Sequence, residues 1–242
     1  MSSAPDPTSR LLSYDRAIVA GGIASLVALS WLYLFSGAGM DAGMESMAAP
    51  PLGALVVMWW LMMVAMMLPS AAPAILLYGR VREIRGDDAA VAPTWVFLAA
   101  YLAAWLLFSI AAASAQYALI GPSMALNGRW AISGLLIIAG LYQLSPLKGA
   151  CLTQCRSPAQ FLSRYWHPGT RGALRLGAIH GAYCVGCCWM LMALLLVGGV
   201  MNFAWIIALT IIVAAEKLVP RGGWIGRITG IALIAWGAAR LL

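Results

Sequence analysis

Residues 54–78 read ALVVMWWLMMVAMMLPSAAPAILLY, an apolar run of 25 residues without a charged side chain. About 20 apolar residues in a helix cross the hydrocarbon core of a bilayer, so this run is long enough to span a membrane. Further apolar runs occupy residues 17–37, 94–120, 130–145, 174–200, 203–219 and 223–242. Together they predict an all-α fold, a polytopic transmembrane helical bundle of about seven spans.

The composition of the whole chain also favours a location in the lipid bilayer. Hydrophobic residues make up 63% of the 242 residues and charged residues 10%, with a mean hydropathy of +0.88. A soluble domain typically has about 45–50% apolar and about 25% charged residues. The net charge of +7 does not indicate nucleic-acid binding, because the basic residues lie between apolar runs. The odd number of cysteines, five, argues against a disulfide-stapled scaffold.

The distribution of basic residues predicts how the chain is oriented. They concentrate in alternate connecting segments, whereas the opposite segments contain Arg129 and the terminal Arg240. Because basic residues stay on the cytoplasmic side, we expect a cytoplasmic N-terminus and an outer C-terminus. Residues 1–16 are predicted to be a short polar head, and residues 17–242 a single transmembrane domain. The first run is longer than the apolar core of a signal peptide, which favours a retained anchor over a cleaved leader.

The second run contains a stripe of methionines. Met58, Met62 and Met66 recur every fourth residue, and Met63 and Met67 flank them on one face of a helix. Thioether sulfur is a soft ligand that selects Cu(I) over hard cations, and it avoids the cost of burying a carboxylate in lipid. The alternative is that these flexible side chains only fill space in the core.

The fifth run contains the most specific group of candidate ligands. His180, Cys184, Cys187 and Cys188 fall within an arc of about 100° on one helix face. Three thiols and an imidazole form a set that suits Cu(I), with Zn(II) as the alternative ion. The cysteines also continue a stripe of small residues that begins with the GxxxG at 177–181. Close packing between helices is therefore the competing interpretation.

Two further groups of sulfur residues lie in connecting segments. Cys151 and Cys155 follow the fourth run on the predicted cytoplasmic side, where thiols remain reduced. Their spacing places both sulfurs on one helix face, which is compatible with metal handover, a redox-active pair or inert thiols. Met40, Met44 and Met47 precede the second run on the outer side. They predict an outer metal-collecting segment, with a flexible linker as the alternative.

The inner end of the sixth run carries adjacent opposite charges. Glu216 is the only acidic residue in the second half of the chain, and Lys217 follows it directly. A carboxylate inside a membrane span is costly and is usually paired. We therefore predict a charge pair of Glu216 and Lys217 at the inner mouth, with Arg175 and Arg227 as alternative partners of the acid.

Several of these stretches together resemble a bacterial family of predicted metal-binding integral membrane proteins, which share a domain of unknown function. The stretches are Met58-Trp59 through Pro69 with Pro73, Pro146-Leu147-Lys148 with Cys151, Cys155 and Arg156, Cys184 through Trp189, Met201-Asn202, and Glu216-Lys217. The resemblance extends over roughly residues 50–220. It implies a multi-pass protein of the bacterial inner (cytoplasmic) membrane with a link to a metal.

These features lead to one hypothesis about function. We expect an integral inner-membrane protein that binds a soft metal ion, with Cu(I) favoured, for transport or delivery across the membrane or to a metalloenzyme. The expected partners are the lipid bilayer and a metallochaperone or metalloenzyme, and no nucleic acid. In the hypothesised route the ion passes from the outer methionines along the methionine stripe to the His180 group and then to Cys151 and Cys155. Ligand strength rises from thioether to thiolate along this route.

Two alternatives to metal handling remain open at this level. One is a membrane thiol-disulfide oxidoreductase that exchanges electrons between its cysteine pairs. The other is a membrane scaffold in which the Cys and Met residues only pack. The chain contains no HExxH, GxSxG or glycine-rich phosphate loop, so we assign no catalytic residue.

Overall fold

The computed structural model describes residues 7–36, 51–85, 91–119, 125–220 and 222–242. Helices and their connections make up these ranges, which contain no strand. The prediction of an all-α fold is therefore confirmed for the described part of the chain. The predicted outer metal-collecting residues Met40, Met44 and Met47 lie outside the described residues.

The described ranges contain ten helices. They are α1 (Pro7–Phe35), α2 (Leu52–Ile84), α3 (Val91–Leu119), α4 (Arg129–Leu144), α5 (Pro146–Arg156), α6 (Pro158–Tyr165), α7 (Gly169–Ala193), α8 (Leu195–Gly198), α9 (Phe203–Leu218) and α10 (Gly223–Ala239). Every predicted apolar run overlaps one of the longer helices. The first of them, α1, begins at Pro7 and so extends into the predicted polar head.

Several helices are compatible with insertion into a membrane. Four segments are long and apolar enough to cross it, namely Arg16–Phe35, Leu52–Ile84, Val91–Ala118 and Gly169–Gly198. The consecutive helices α4 and α5 meet at 62° and together qualify as a fifth span that is broken or re-entrant.

Two short apolar helices near the C-terminal end leave the predicted count of seven spans unconfirmed. The helices α9 and α10 contain 16 and 17 residues. At about 1.5 Å per residue they extend for about 24–26 Å, less than the hydrocarbon core of about 30 Å. The number of spans and the orientation of the chain stay predictions.

The methionine-rich helix α2 lies inside the bundle, packed against α1 and α3. Residues 62–68 are all buried, and the helix continues through Pro69 and Pro73. The methionine stripe therefore belongs to the protein interior.

Two glycines allow α7 to approach α3 closely. A Cβ atom at Gly177 would lie 2.2 Å from the carbonyl oxygen of Phe97, and one at Gly181 would lie 2.6 Å from the Cβ of Ala104. A larger side chain at either position would push the helices apart. The GxxxG of the fifth run thus serves helix packing, and it holds the cysteine-bearing part of α7 in the bundle.

The short helix α5 folds back from α4 and packs against α7. It begins after Ser145, whose hydroxyl accepts a hydrogen bond from the backbone N–H of Lys148 at 3.2 Å. Pro146 follows this cap at the first helical position, where a missing N–H costs nothing. The sharp turn at Ser145 places the cysteines of α5 beside those of α7.

Candidate metal centre

The methionine stripe is buried, and its last member reaches a cysteine. Met58, Met62, Met63, Met66 and Met67 are each no more than 2% exposed and belong to the hydrophobic core. The Sδ atom of Met67 lies 3.6 Å from the Sγ atom of a cysteine on α7, Cys188. The structure thus brings the end of the stripe to the predicted thiol group.

The three cysteines of α7 are buried together. Cys184, Cys187 and Cys188 are each 1% exposed. The thiols of Cys187 and Cys188 donate to the backbone carbonyl oxygen of Cys184 at 3.1 and 3.0 Å. Both thiols are therefore directed along their own helix toward the turn that begins at Cys184.

A lysine from α9 enters this group of sulfur atoms. The Nζ atom of Lys217 lies 3.0 Å from the Sγ of Cys184, 3.8 Å from the Sδ of Met67 and 3.3 Å from the hydroxyl of Ser70. The side chain is buried, with Lys217 only 6% exposed. Tyr101 completes the surroundings, because its hydroxyl lies 3.1 Å from the Cys184 thiol and donates to the Met67 carbonyl at 3.3 Å. The sequence placed Lys217 at an inner mouth and gave no sign of this contact with sulfur.

Cys155, which is partly exposed, lies next to the buried thiols. Its Sγ atom lies 4.0 Å from that of Cys187. Thiolates that share a metal ion at about 2.3 Å, with a ligand–metal–ligand angle near 120°, are separated by about 4 Å. The predicted inner pair is therefore continuous with the bundle cysteines. Its other member, Cys151, lies beside Gly186, where an added Cβ would be 2.9 Å from the Cys151 thiol.

We use the name sulfur cluster for the side chains that these contacts connect. Its members are Met67, Cys155, Cys184, Cys187 and Cys188. Helices α2, α5 and α7 contribute them, and α9 adds the ammonium group of Lys217. The members are sulfur atoms, which are soft donors, and four of the five belong to buried residues.

The predicted charge pair of Glu216 with Lys217 is not formed, because Glu216 pairs with Lys148 of α5. Its carboxylate lies 2.5 Å from the Lys148 Nζ and accepts a hydrogen bond from the Gln143 side-chain amide at 2.7 Å. Lys148 also donates to the amide oxygen of Gln143. Consecutive residues on a helix face different directions, so Glu216 and Lys217 meet different neighbours. We call Gln143, Lys148 and Glu216 the ion-pair network.

His180 has different surroundings from those expected for a fourth ligand. Its ring lies among those of Phe97, Tyr101 and Phe161, with centroid distances of 5.9, 5.7 and 5.0 Å. The imidazole is 2% exposed, and its Nδ1 atom has no hydrogen-bond partner among the described residues. Within the described ranges, His, Cys, Asp and Glu side chains form no group of three or more arranged to hold a metal ion. Met67 of the methionine stripe, which the sequence hypothesis placed on the route to these thiols, and Lys217, which it did not, complete their surroundings.

Helices of membrane-spanning length with buried thiols and a thioether between them define the class, an α-helical protein with a sulfur-rich interior. Residues 56–240 match the family model of PpoB2, which is described as a copper chaperone. The match extends over well more than half of the chain, so the protein belongs to this family. No curated protein and no solved structure matches the chain. The predicted link to a metal-related family is confirmed, and copper is the metal that the family description gives.

Proposed function

We propose that the protein is a membrane copper chaperone that holds Cu(I) as cargo between Met67, Cys184 and Cys188. The observation that carries the proposal is the convergence of a thioether and thiols from two helices, with 3.6 Å between the Sδ of Met67 and the Sγ of Cys188. Soft thiolate and thioether ligands favour Cu(I) over hard cations. Membership of a copper chaperone family supports the same metal.

The composition of the donor set favours Cu(I) over Zn(II). Structural zinc sites have four tetrahedral ligands drawn from Cys, His and carboxylates. The described residues present no preformed group of three or more such side chains. Cu(I) accepts fewer ligands and binds thioethers well, so a site of thiolates completed by Met67 suits it better.

The position of α5 suggests how the ion leaves. Cys184 and Cys188 lie in the interior, whereas Cys151 and Cys155 of α5 are partly exposed. The 4.0 Å contact between the thiols of Cys155 and Cys187 connects the partly exposed cysteines of α5 with the buried cysteines of α7. We propose that Cu(I) passes from the α7 thiols through this contact to a metallochaperone or metalloenzyme that docks beside α5.

The remaining parts of the sequence hypothesis extend this proposal. Met40, Met44 and Met47 would collect the ion on the outer side, and Met58, Met62, Met63 and Met66 would provide weaker thioether positions along α2. The chain would lie in the bacterial inner membrane with its N-terminus in the cytoplasm, so α5 would face the cytoplasmic partner. Four described segments of membrane-spanning length support this location.

Anaerobic Cu(I) titration of the full-length protein in detergent, against a chromogenic Cu(I) chelator, tests the proposal. We expect stoichiometric binding by the unmodified protein and its loss in the variant Cys184→Ser/Cys188→Ser. The matched control is Cys151→Ser, which changes a thiol that lies beside Gly186 and outside the sulfur cluster. No binding by the unmodified protein, or equal loss in the control, would overturn the proposal.

The same 4.0 Å contact supports a second candidate, a thiol-disulfide oxidoreductase. In that reaction Cys155 and Cys187 would reduce a partner disulfide to two thiols and become a disulfide themselves. Alkylation separates the candidates. Thiols that hold copper are protected until a Cu(I) chelator is added, whereas a disulfide becomes reactive only after a reductant is added.

A further inference from the structure

Lys217 places a fixed positive charge against the sulfur atoms that would hold the ion. Its ammonium group lies 3.0 Å from the Cys184 thiol and 3.8 Å from the Met67 thioether. Resting on the proposed function, we infer that Lys217 is a specificity-determining residue that makes the site accept a monovalent soft cation and disfavour a divalent one.

The inference follows from the charge of the loaded site. Cysteine binds a metal as the thiolate, so binding to Cys184 and Cys188 brings two negative charges. Met67 is neutral. One Cu(I) and the Lys217 ammonium balance the two thiolates, and the site carries no net charge. Zn(II) in the same place would leave one uncompensated positive charge.

Neighbouring groups do not change this balance. Cys187 is a neutral thiol that donates to the Cys184 carbonyl oxygen at 3.1 Å, and Cys155 contacts it as a second neutral thiol. Glu216 precedes Lys217 in the chain, but its carboxylate is neutralised by Lys148 at 2.5 Å. The hydroxyls of Tyr101 and Ser70, which also contact the site, are neutral. The imidazole of His180 is enclosed by aromatic rings and adds no charge in its neutral form.

Because the site is buried, its net charge has a strong effect on which ion binds. Cys184 is 1% exposed and Lys217 is 6% exposed, so water screens a residual charge poorly. An uncompensated charge in an apolar interior is strongly unfavourable. Soft ligands already favour copper over hard ions, and the charge of Lys217 adds discrimination against the soft divalent ions that thiolates also bind.

The affinities of a Lys217 variant for monovalent and divalent ions show whether Lys217 determines ion specificity or only packs. In full-length protein in detergent, Cu(I) and Ag(I) serve as monovalent probes, and Zn(II) and Cd(II) as divalent probes, each measured by competition under anaerobic conditions. We expect Lys217→Gln to weaken the binding of Cu(I) and Ag(I) and to strengthen that of Zn(II) and Cd(II). The Cu(I)-to-Zn(II) affinity ratio should fall by about 100-fold, because opposite changes in the two affinities multiply.

Two control variants define what the effect depends on. Lys217→Arg retains the positive charge and should preserve the order of the four ions. The double variant Lys148→Gln/Glu216→Gln removes the other buried lysine together with its counter-charge, and it should leave the ratio unchanged. Circular dichroism confirms that each variant is folded before its affinities are compared.

The outcomes are distinct for this inference and for the proposed function. A parallel fall of all four affinities in Lys217→Gln would mean that Lys217 only supports packing, and a parallel rise would mean that it only blocks the site. Either result overturns the inference while leaving copper binding intact. Absence of Cu(I) binding in the unmodified protein overturns the proposed function, and the inference with it.

Discussion

Lys148 and Lys217 are both buried lysines, but their surroundings differ. The Lys148 ammonium contacts the Glu216 carboxylate at 2.5 Å and the side chain of Gln143. The Lys217 ammonium contacts a thiol, a thioether and a hydroxyl. The ion-pair network is therefore complete without any further group, whereas the sulfur cluster holds a cation whose full compensation depends on thiolate.

The two regions meet on one turn of α9. Glu216 faces α4 and α5, and Lys217 faces α2 and α7, because adjacent helical residues point in different directions. One region fastens α5 to the bundle through an ordinary buried ion pair. The other places charge beside candidate ligands. The buried ion pair needs no further group to complete it, whereas the contacts of Lys217 with sulfur atoms support the proposed metal site.

The largest expected effect is on the free energy of unfolding, which a substitution in the ion-pair network should lower more than a substitution of Lys217. Glu216→Ala leaves the Lys148 charge buried without its carboxylate, and we expect a loss of about 3–5 kcal/mol in the free energy of unfolding. Lys217→Gln should cost less, because the partners of Lys217 are not carboxylates. Denaturant titration of both variants in detergent measures the difference. Equal losses would contradict the distinction, and Lys148→Gln/Glu216→Gln should recover most of the stability.

The helices could be predicted from the sequence because the deciding signals are local. The run 54–78 lacks charge over 25 residues and became part of α2. Helical periodicity likewise placed Cys184, Cys187 and Cys188 on one face. All three are buried, and the thiols of Cys187 and Cys188 donate to the Cys184 carbonyl of their own helix. Neither inference required knowledge of what packs against the helix.

The partners across helices could not be predicted because spacing along one helix does not encode them. Glu216 pairs with Lys148, which is 68 positions earlier, and Cys155 contacts Cys187 across 32 positions. The turn at Ser145 creates both contacts by folding α5 back. A contact between a lysine and a thiol on another helix leaves no periodic pattern in the sequence. The sequence therefore predicts that Lys217 pairs with the adjacent Glu216.

A smaller effect tests which methionines belong to the metal site. Met67→Leu removes the thioether beside Cys188, whereas Met66→Leu removes a neighbouring thioether whose side chain projects about 100° around the helix from that of Met67. We expect Cu(I) affinity to fall about tenfold in the first variant, equal to about 1.4 kcal/mol, and to remain unchanged in the second. Both exchanges conserve volume, so each should cost less than about 1.5 kcal/mol in stability. Equal affinities in the two variants would exclude Met67 as a ligand and return the stripe to a packing role.

The smallest expected effect concerns His180, which the sequence grouped with the thiols and the structure places among aromatic rings. In His180→Phe a ring of similar shape replaces an imidazole whose Nδ1 has no hydrogen-bond partner among the described residues. Because an unsatisfied buried polar atom is lost, we expect the free energy of unfolding to change by no more than about 1 kcal/mol, toward greater stability. Cu(I) affinity should remain that of the unmodified protein in the same chelator competition. A collapse of affinity without a loss of stability would make His180 a ligand after all, and would show that the thiols and the imidazole close around the ion only when it is bound.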